Sequence, residues 1–143
     1  MERRKFIKSC CTVGLGLPLL GVGFQSCEAA HYATVKSDAE KLTVLKSEFI
    51  TEGKSARSFV LLSIKEYGFP ICLFKTSEDS YVASLLKCTH RGCELNVGGG
   101  IYSCPCHGSE FSTSGKVLEG PADQDLKTFK TTTDNDNIYI YVS

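Results

Sequence analysis

Four of the eight cysteines and two of the three histidines in this 143-residue chain fall between Cys88 and Phe111. That stretch opens with C-T-H-R-G-C, passes through a glycine-rich connection, and closes with C-P-C-H-G-S-E-F. Cys88-x-His90 and Cys104-x-x-His107 together supply two thiolates and two imidazoles, a complete four-ligand set for a metal. Such a mixture suits zinc or an iron–sulfur centre. Zinc sites usually pair Cys with Cys and His with His, whereas each short motif here contributes one of each. That suits a two-iron cluster with Cys88 and Cys104 on the inner iron and His90 and His107 on the outer one. Neutral imidazoles in place of two anionic thiolates make such a centre easier to reduce. On these residues alone a structural zinc module, binding a partner without redox chemistry, stays open as the reading of another class.

C-T-H-x-G-C paired with C-P-C-H-G-S resembles the Rieske iron–sulfur family, and within it the Rieske subunit of quinol:cytochrome c reductase (cytochrome bc and bf) complexes. The resemblance continues through Gly115-Lys116-Val117 and Gly120-Pro121-Ala122 and covers roughly residues 41–142. It implies one [2Fe-2S] cluster. It also implies a disulfide between the two remaining loop cysteines, Cys93 and Cys106, as in the quinol-oxidising members; soluble Rieske ferredoxins and ring dioxygenases usually lack that pair. Ser109 matches a serine whose hydroxyl bonds a bridging sulfide. Phe111 stands where high-potential relatives carry a tyrosine that bonds a ligand sulfur, so the expected potential is in the middle or lower part of the family range, suited to menaquinol. Gly120-Pro121-Ala122 resembles the proline loop that covers the cluster. His90 and His107 would accept a hydrogen bond and a proton from quinol. The interval from His90 to Cys104 is slightly shorter than is usual in the cytochrome bc relatives.

The function this implies is one-electron transfer as the iron–sulfur subunit of a membrane quinol-oxidising complex, with cytochrome b and a c-type cytochrome as partners. The alternatives are the electron-relay small subunit of a periplasmic molybdenum oxidase of the arsenite oxidase kind, and a stand-alone Rieske lipoprotein. An oxygenase is disfavoured, because His31 is the one histidine left for a second iron site. Nucleic acid is not an expected partner: 16 basic residues balance 16 acidic ones, and no basic stripe is visible.

Residues 1–27 read as a leader. Arg3, Arg4, Lys5 and Lys8 precede an apolar, glycine-broken run from Cys10 to Phe24, and R-R-x-F-I-K is similar to a twin-arginine export signal. The run is short for a membrane span. Phe24-Gln25-Ser26-Cys27 is similar to a lipobox, which makes Cys27 the candidate for lipidation; an anchor kept uncleaved and ordinary cleavage are the alternatives. The first two tether the domain to the outer, periplasmic face of a bacterial cytoplasmic membrane. Cys10 and Cys11 read as small apolar residues of the leader. Residues 28–40, short and polar with no clear period, read as a linker in which His31 is solvated.

The elements that must position the ligands begin at Lys41. Leu42–Leu45, Ser58–Ile64, Pro70–Phe74, Tyr81–Leu86, Leu126–Thr131 and Ile138–Val142 are rich in β-formers, with turn signals at Glu52-Gly53-Lys54, Ser77–Ser80 and Asp134–Asn137. Pro70–Phe74 is continuously apolar and predicts a buried strand, with Cys72 packed in the core. Gly92, Gly108 and the Gly98-Gly99-Gly100 run are expected to serve turns around the cluster, and Pro105 to stiffen the second loop. With no convincing amphipathic helix, the domain over 41–143 is expected to be all-β: an antiparallel sandwich or barrel base carrying a small cluster-binding subdomain at about residues 87–122.

Overall fold

The computed structural model describes residues 30–53 and 55–143. The leader, with its paired arginines, Cys10, Cys11 and the candidate lipidation site Cys27, lies outside the described residues, as does Lys54 of the first turn.

Among the described residues eleven strands form two antiparallel sheets. The base contains β1 (Val35–Ser37), β2 (Lys41–Leu45), β3 (Phe59–Leu62), β4 (Ile71–Ser77), β5 (Ser80–Leu85), β10 (Thr128–Thr133) and β11 (Asn137–Tyr141), in the order β1-β2-β11-β10-β5-β4-β3. Single 3-10 turns at Lys46–Phe49 and Lys65–Tyr67 interrupt it. The tip contains β6 (Asn96–Gly98), β7 (Ile101–Ser103), β8 (Glu110–Ser112) and β9 (Val117–Glu119), paired in sequence order.

Period-2 patterning explains the base. Along β2, Leu42 and Val44 are buried while their neighbours are not, and in the facing β11 Ile138 and Ile140 do the same. Asp134 closes the β10–β11 turn by accepting from the amides of Asp136 and Asn137. Strands β3, β4 and β5 are buried on both faces over much of their length. Ile71, Leu73, Val60, Leu62, Ala83 and Leu85 enter the base core, whereas Leu61 and Cys72 face a second core shared with the tip, containing Leu86, Leu95, Tyr102, Phe111 and Leu126. That double cover is why Pro70–Phe74 is an unbroken apolar run. Cys72 is fully buried and its thiol is pushed up to about 12 by that burial, so it is packing rather than chemistry.

Two expectations change. The domain starts earlier than Lys41: within the stretch read as a linker, Val35–Ser37 pairs with β2, and Ala33 N–H donates to Leu61 O at 2.9 Å. His31 is not a free solvated side chain; its Nε2 lies 2.6 Å from Glu48 Oε2. An edge strand this polar carries no periodic signal, and the sheet's backbone pairing decides it. The glycine run also has a different role. Gly99 and Gly100, at φ of 61° and 77°, make the two-residue turn of the β6–β7 hairpin, away from the ligands.

Candidate metal centre

Both ligand motifs occupy hairpin ends. Lys87 bridges Glu94 ahead of loop one (Cys88–Cys93), and Ser103 pairs with Glu110 around loop two (Cys104–Ser109). The two loops fold alike. In loop one, Cys88 N–H donates to Cys93 O at 2.8 Å, and Gly92 N–H donates back to Cys88 O at 2.8 Å. In loop two, Cys104 N–H donates to Ser109 O at 2.8 Å, and Gly108 N–H to Cys104 O at 3.0 Å. Each loop thus turns on a glycine four residues after its first cysteine, at φ of 77° for Gly92 and 81° for Gly108. A side chain there would be strained.

This geometry sorts the four side chains by depth. Cys88 and Cys104 are buried, at 2% and 4% exposure. His90 is half-buried and His107 exposed, with ring centroids 4.8 Å apart and planes nearly perpendicular. Burial works to raise the Cys104 thiol. The neighbouring amides of Cys106 and His107 and the Cys88 thiol outweigh that and hold it below the ordinary thiol value. Amides aimed at a sulfur are what a thiolate ligand needs. His90 Nδ1 is buried and has no hydrogen-bond partner among the described residues. An imidazole nitrogen left so is costly unless a metal takes its lone pair. The donor set therefore fits a cluster with sulfur ligands inside and nitrogen ligands outside.

A bond between Cys93 and Cys106 joins the loops. The sulfurs of Cys93, Cys104 and Cys106 lie within 4.8 Å of one another. Two of those three are bonded to each other and offer no thiolate, so this grouping is no ligand set; it shows how closely the bridge sits beside Cys104.

The segment after β9 straps both loops. A cis peptide bond precedes Pro121. Ala122 N–H donates to Ser109 Oγ at 2.9 Å, and Thr89 Oγ1 donates to Gln124 O at 2.6 Å. Asp125 anchors the strap, accepting from Val117 N–H at 2.9 Å and pairing with Lys116 at 2.7 Å. Ser109 is fully buried, and accepting from Ala122 leaves its hydroxyl proton uncommitted. Phe111 is fully buried opposite Tyr102 and has no donor. Thr89 was not singled out by sequence reasoning; its position between Cys88 and His90 was the available signal.

Comparison with known proteins agrees with this construction. Residues 32–130 match the Rieske [2Fe-2S] domain. The chain is 26% identical to the cytochrome b6-f complex iron-sulfur subunit of Synechococcus sp. (strain JA-3-3Ab), over 96% of this chain and 86% of that one. It is 47% identical to the corresponding subunit of Synechococcus sp. (strain JA-2-3B'a(2-13)), over 36% of this chain and 31% of that one. The crystal structure of the cyanobacterial plasma membrane Rieske protein PetC3 from Synechocystis PCC 6803 superposes with a TM-score of 0.51 at 34% identity, covering 58% of this chain and 85% of that one. With the match running from Tyr32 to Lys130, through both loops and the strap, this chain belongs to the Rieske [2Fe-2S] domain family and is built for its [2Fe-2S] cluster.

Proposed function

We propose that this chain is the iron–sulfur subunit of a membrane quinol-oxidising complex, carrying single electrons from quinol towards a c-type cytochrome. The observation that carries the reading is the exposure of His107 above two buried thiols. Bound between Cys88, Cys104, His90 and His107, the cluster would supply one-electron redox chemistry. The chain's own groups would do the rest. Cys88 and Cys104 hold sulfur away from water. His90 turns Nδ1 inward, and His107 offers an imidazole edge at which a quinol hydroxyl can hydrogen-bond and leave its proton. The strap and the disulfide keep the loops in register. Phe111, unable to donate to sulfur, favours a lower potential and so menaquinol.

The leader supports a tether to the periplasmic face of the membrane, through a lipid on Cys27 or an uncleaved anchor, ahead of a folded domain that begins near residue 31. Among the described residues no helix is long and apolar enough to cross a membrane.

The test is the EPR spectrum of the full chain reduced by ascorbate or dithionite, together with purification from native membranes. A reduced signal with the low average g-value of mixed nitrogen and sulfur ligation, and copurification with a cytochrome b, are expected. A colourless zinc protein would refute the redox reading. A cluster protein found only with a molybdenum enzyme, or alone, would refute the complex.

A further inference from the structure

Beside loop one an open cleft of about 540 Å³ is lined in part by Lys87, Thr89, His90, Arg91, Gln124 and Lys127. Its lining contains three cations and no carboxylate. Among the described residues the side-chain ion pairs are His31–Glu48, Lys46–Asp79 and Lys116–Asp125, so none of the three cations is neutralised there. In a chain whose charges balance overall, that is a marked local excess.

The two lysines are held in place. Lys127 Nζ lies 5.1 Å from the ring centroids of both Tyr67 and Phe129. Lys87 Nζ lies 5.5 Å from that of Phe69, and its stem packs on loop one, where a Cβ on Gly92 would stand 3.3 Å from Lys87 Cε. Aromatic faces steady an ammonium group without cancelling its charge. Much of the side-chain freedom that binding would remove is already lost.

We infer that this cleft docks an acidic face of the protein that accepts the electron, its carboxylates pairing with Lys87, Arg91 and Lys127 and its redox centre arriving on the His90 side of the cluster. The inference rests on the redox reading above. A protein surface fits better than a small anion. The opening is wide, and the Thr89 hydroxyl already donates to Gln124 O, so it does not turn inward to complete a compact anion cradle. His107 is not part of the lining, so an acceptor seated here leaves that imidazole free. Opposed charge would speed encounter as well as hold the complex, and added salt would weaken both.

The test uses the full chain with its cluster loaded and reduced by ascorbate. Stopped-flow follows one electron passing from the cluster to the ferric haem of an acidic soluble c-type cytochrome, with a basic one as control. The acidic cytochrome should react faster, and its rate should fall about tenfold from low salt to several hundred millimolar. Lys87→Gln with Lys127→Gln should cut the low-salt rate about tenfold and flatten the salt dependence, with the EPR signal retained. In parallel, a fluorescein-labelled hexaglutamate peptide should bind the unaltered chain about tenfold more tightly than this variant, read by anisotropy. Equal rates for the two cytochromes, or an unchanged variant, would overturn the inference. Displacement of the peptide by millimolar inorganic phosphate, or tighter binding to phosphatidylglycerol vesicles, would overturn it in favour of a small anion or a lipid surface. A chain with no reduced EPR signal fails the redox reading and takes docking with it; a chain with the signal but indifferent to charge fails docking alone.

Discussion

Ser109 Oγ lies 2.9 Å from the backbone nitrogen of Ala122, both in buried residues, and this one bond fixes the proline strap to loop two. Thr89 and Gln124 make the matching tie to loop one. Ser109 Oγ accepts from the strap, and on the proposed reading its proton would go to a cluster sulfide. Ser109→Ala removes both. A buried amide without its acceptor costs about 1–3 kcal/mol, and the reduced cluster loses a hydrogen bond. The variant should unfold at lower urea and show a lower potential by protein-film voltammetry. Normal stability together with a normal potential would remove both roles.

Phe111 faces Tyr102 across the β7–β8 ladder, and both are fully buried in the core beneath the ligand loops. Phe111→Tyr adds a hydroxyl in that dry setting, where a donor to sulfur is worth more than in water. The potential should rise by something on the order of tens of millivolts. Voltammetry showing no rise would defeat the proposal that Phe111 suits this chain to a low-potential quinol.

The Cys93–Cys106 bond spans a sequence separation of 13 and ties a half-buried residue to an exposed one. Closing a loop of that size is worth about 3 kcal/mol in the chain-entropy view. Cys93→Ser with Cys106→Ser should therefore lower unfolding stability by about that amount. Loss of visible absorbance on incubation should also be faster, because nothing covalent then holds loop one beside loop two. Equal rates of bleaching would mean that the strap alone keeps the loops together.

The ligand loops were legible because their chemistry lies in residue type and spacing, which folding does not alter. Strands β2 and β11 were legible because alternation of Leu42 with Val44 and of Ile138 with Ile140 survives any context. The tip was not. Its strands have three residues each, and Glu110-Phe111-Ser112 offers a single apolar position, too little for a period to show. What makes them strands is pairing with one another and the burial of Tyr102, Phe111 and Leu126 against the back of β4. The strap's hold on Thr89 was hidden for another reason: Gln124 accepts through its backbone carbonyl, which every residue has. The role of Gly99 and Gly100 was misplaced because a glycine declares a turn without saying which.

Glu48 pins the entry of the chain into the domain. It takes His31 Nε2 at 2.6 Å and the Thr34 amide at 3.1 Å. The hydrogen bond from His31, supported by the Thr34 amide and opposed by burial, holds its carboxyl below the usual value of 4.5. A carboxylate depressed on folding stabilises the fold above its unfolded pKa, and that contribution disappears as pH falls through the folded value. The unaltered chain should exceed Glu48→Gln by about 1 kcal/mol at neutral pH. The gap should close as pH drops below the ordinary carboxylate range. Urea titrations of both chains at a series of pH values check this; a gap that persists in acid would mean the glutamate acts by packing.

Gly115 couples the tip to the base. It sits at φ 83° between β8 and β9, donates its amide to Ser112 O at 2.8 Å, and accepts from Leu126 N–H at 2.8 Å, just ahead of β10. A Cβ there would stand 2.9 Å from Thr128 Cγ2 and 3.4 Å from Leu126 Cβ. Gly115→Ala should therefore cost about 1–3 kcal/mol, from the left-handed backbone and the clash together. The two causes separate in a double-mutant cycle with Thr128→Ser, which removes the offending methyl group. The clash should be relieved and the backbone cost should stay, so the double variant should regain part of the loss but not all of it. Full recovery would show that the left-handed conformation costs nothing here, and no recovery would show that the methyl group was never in the way.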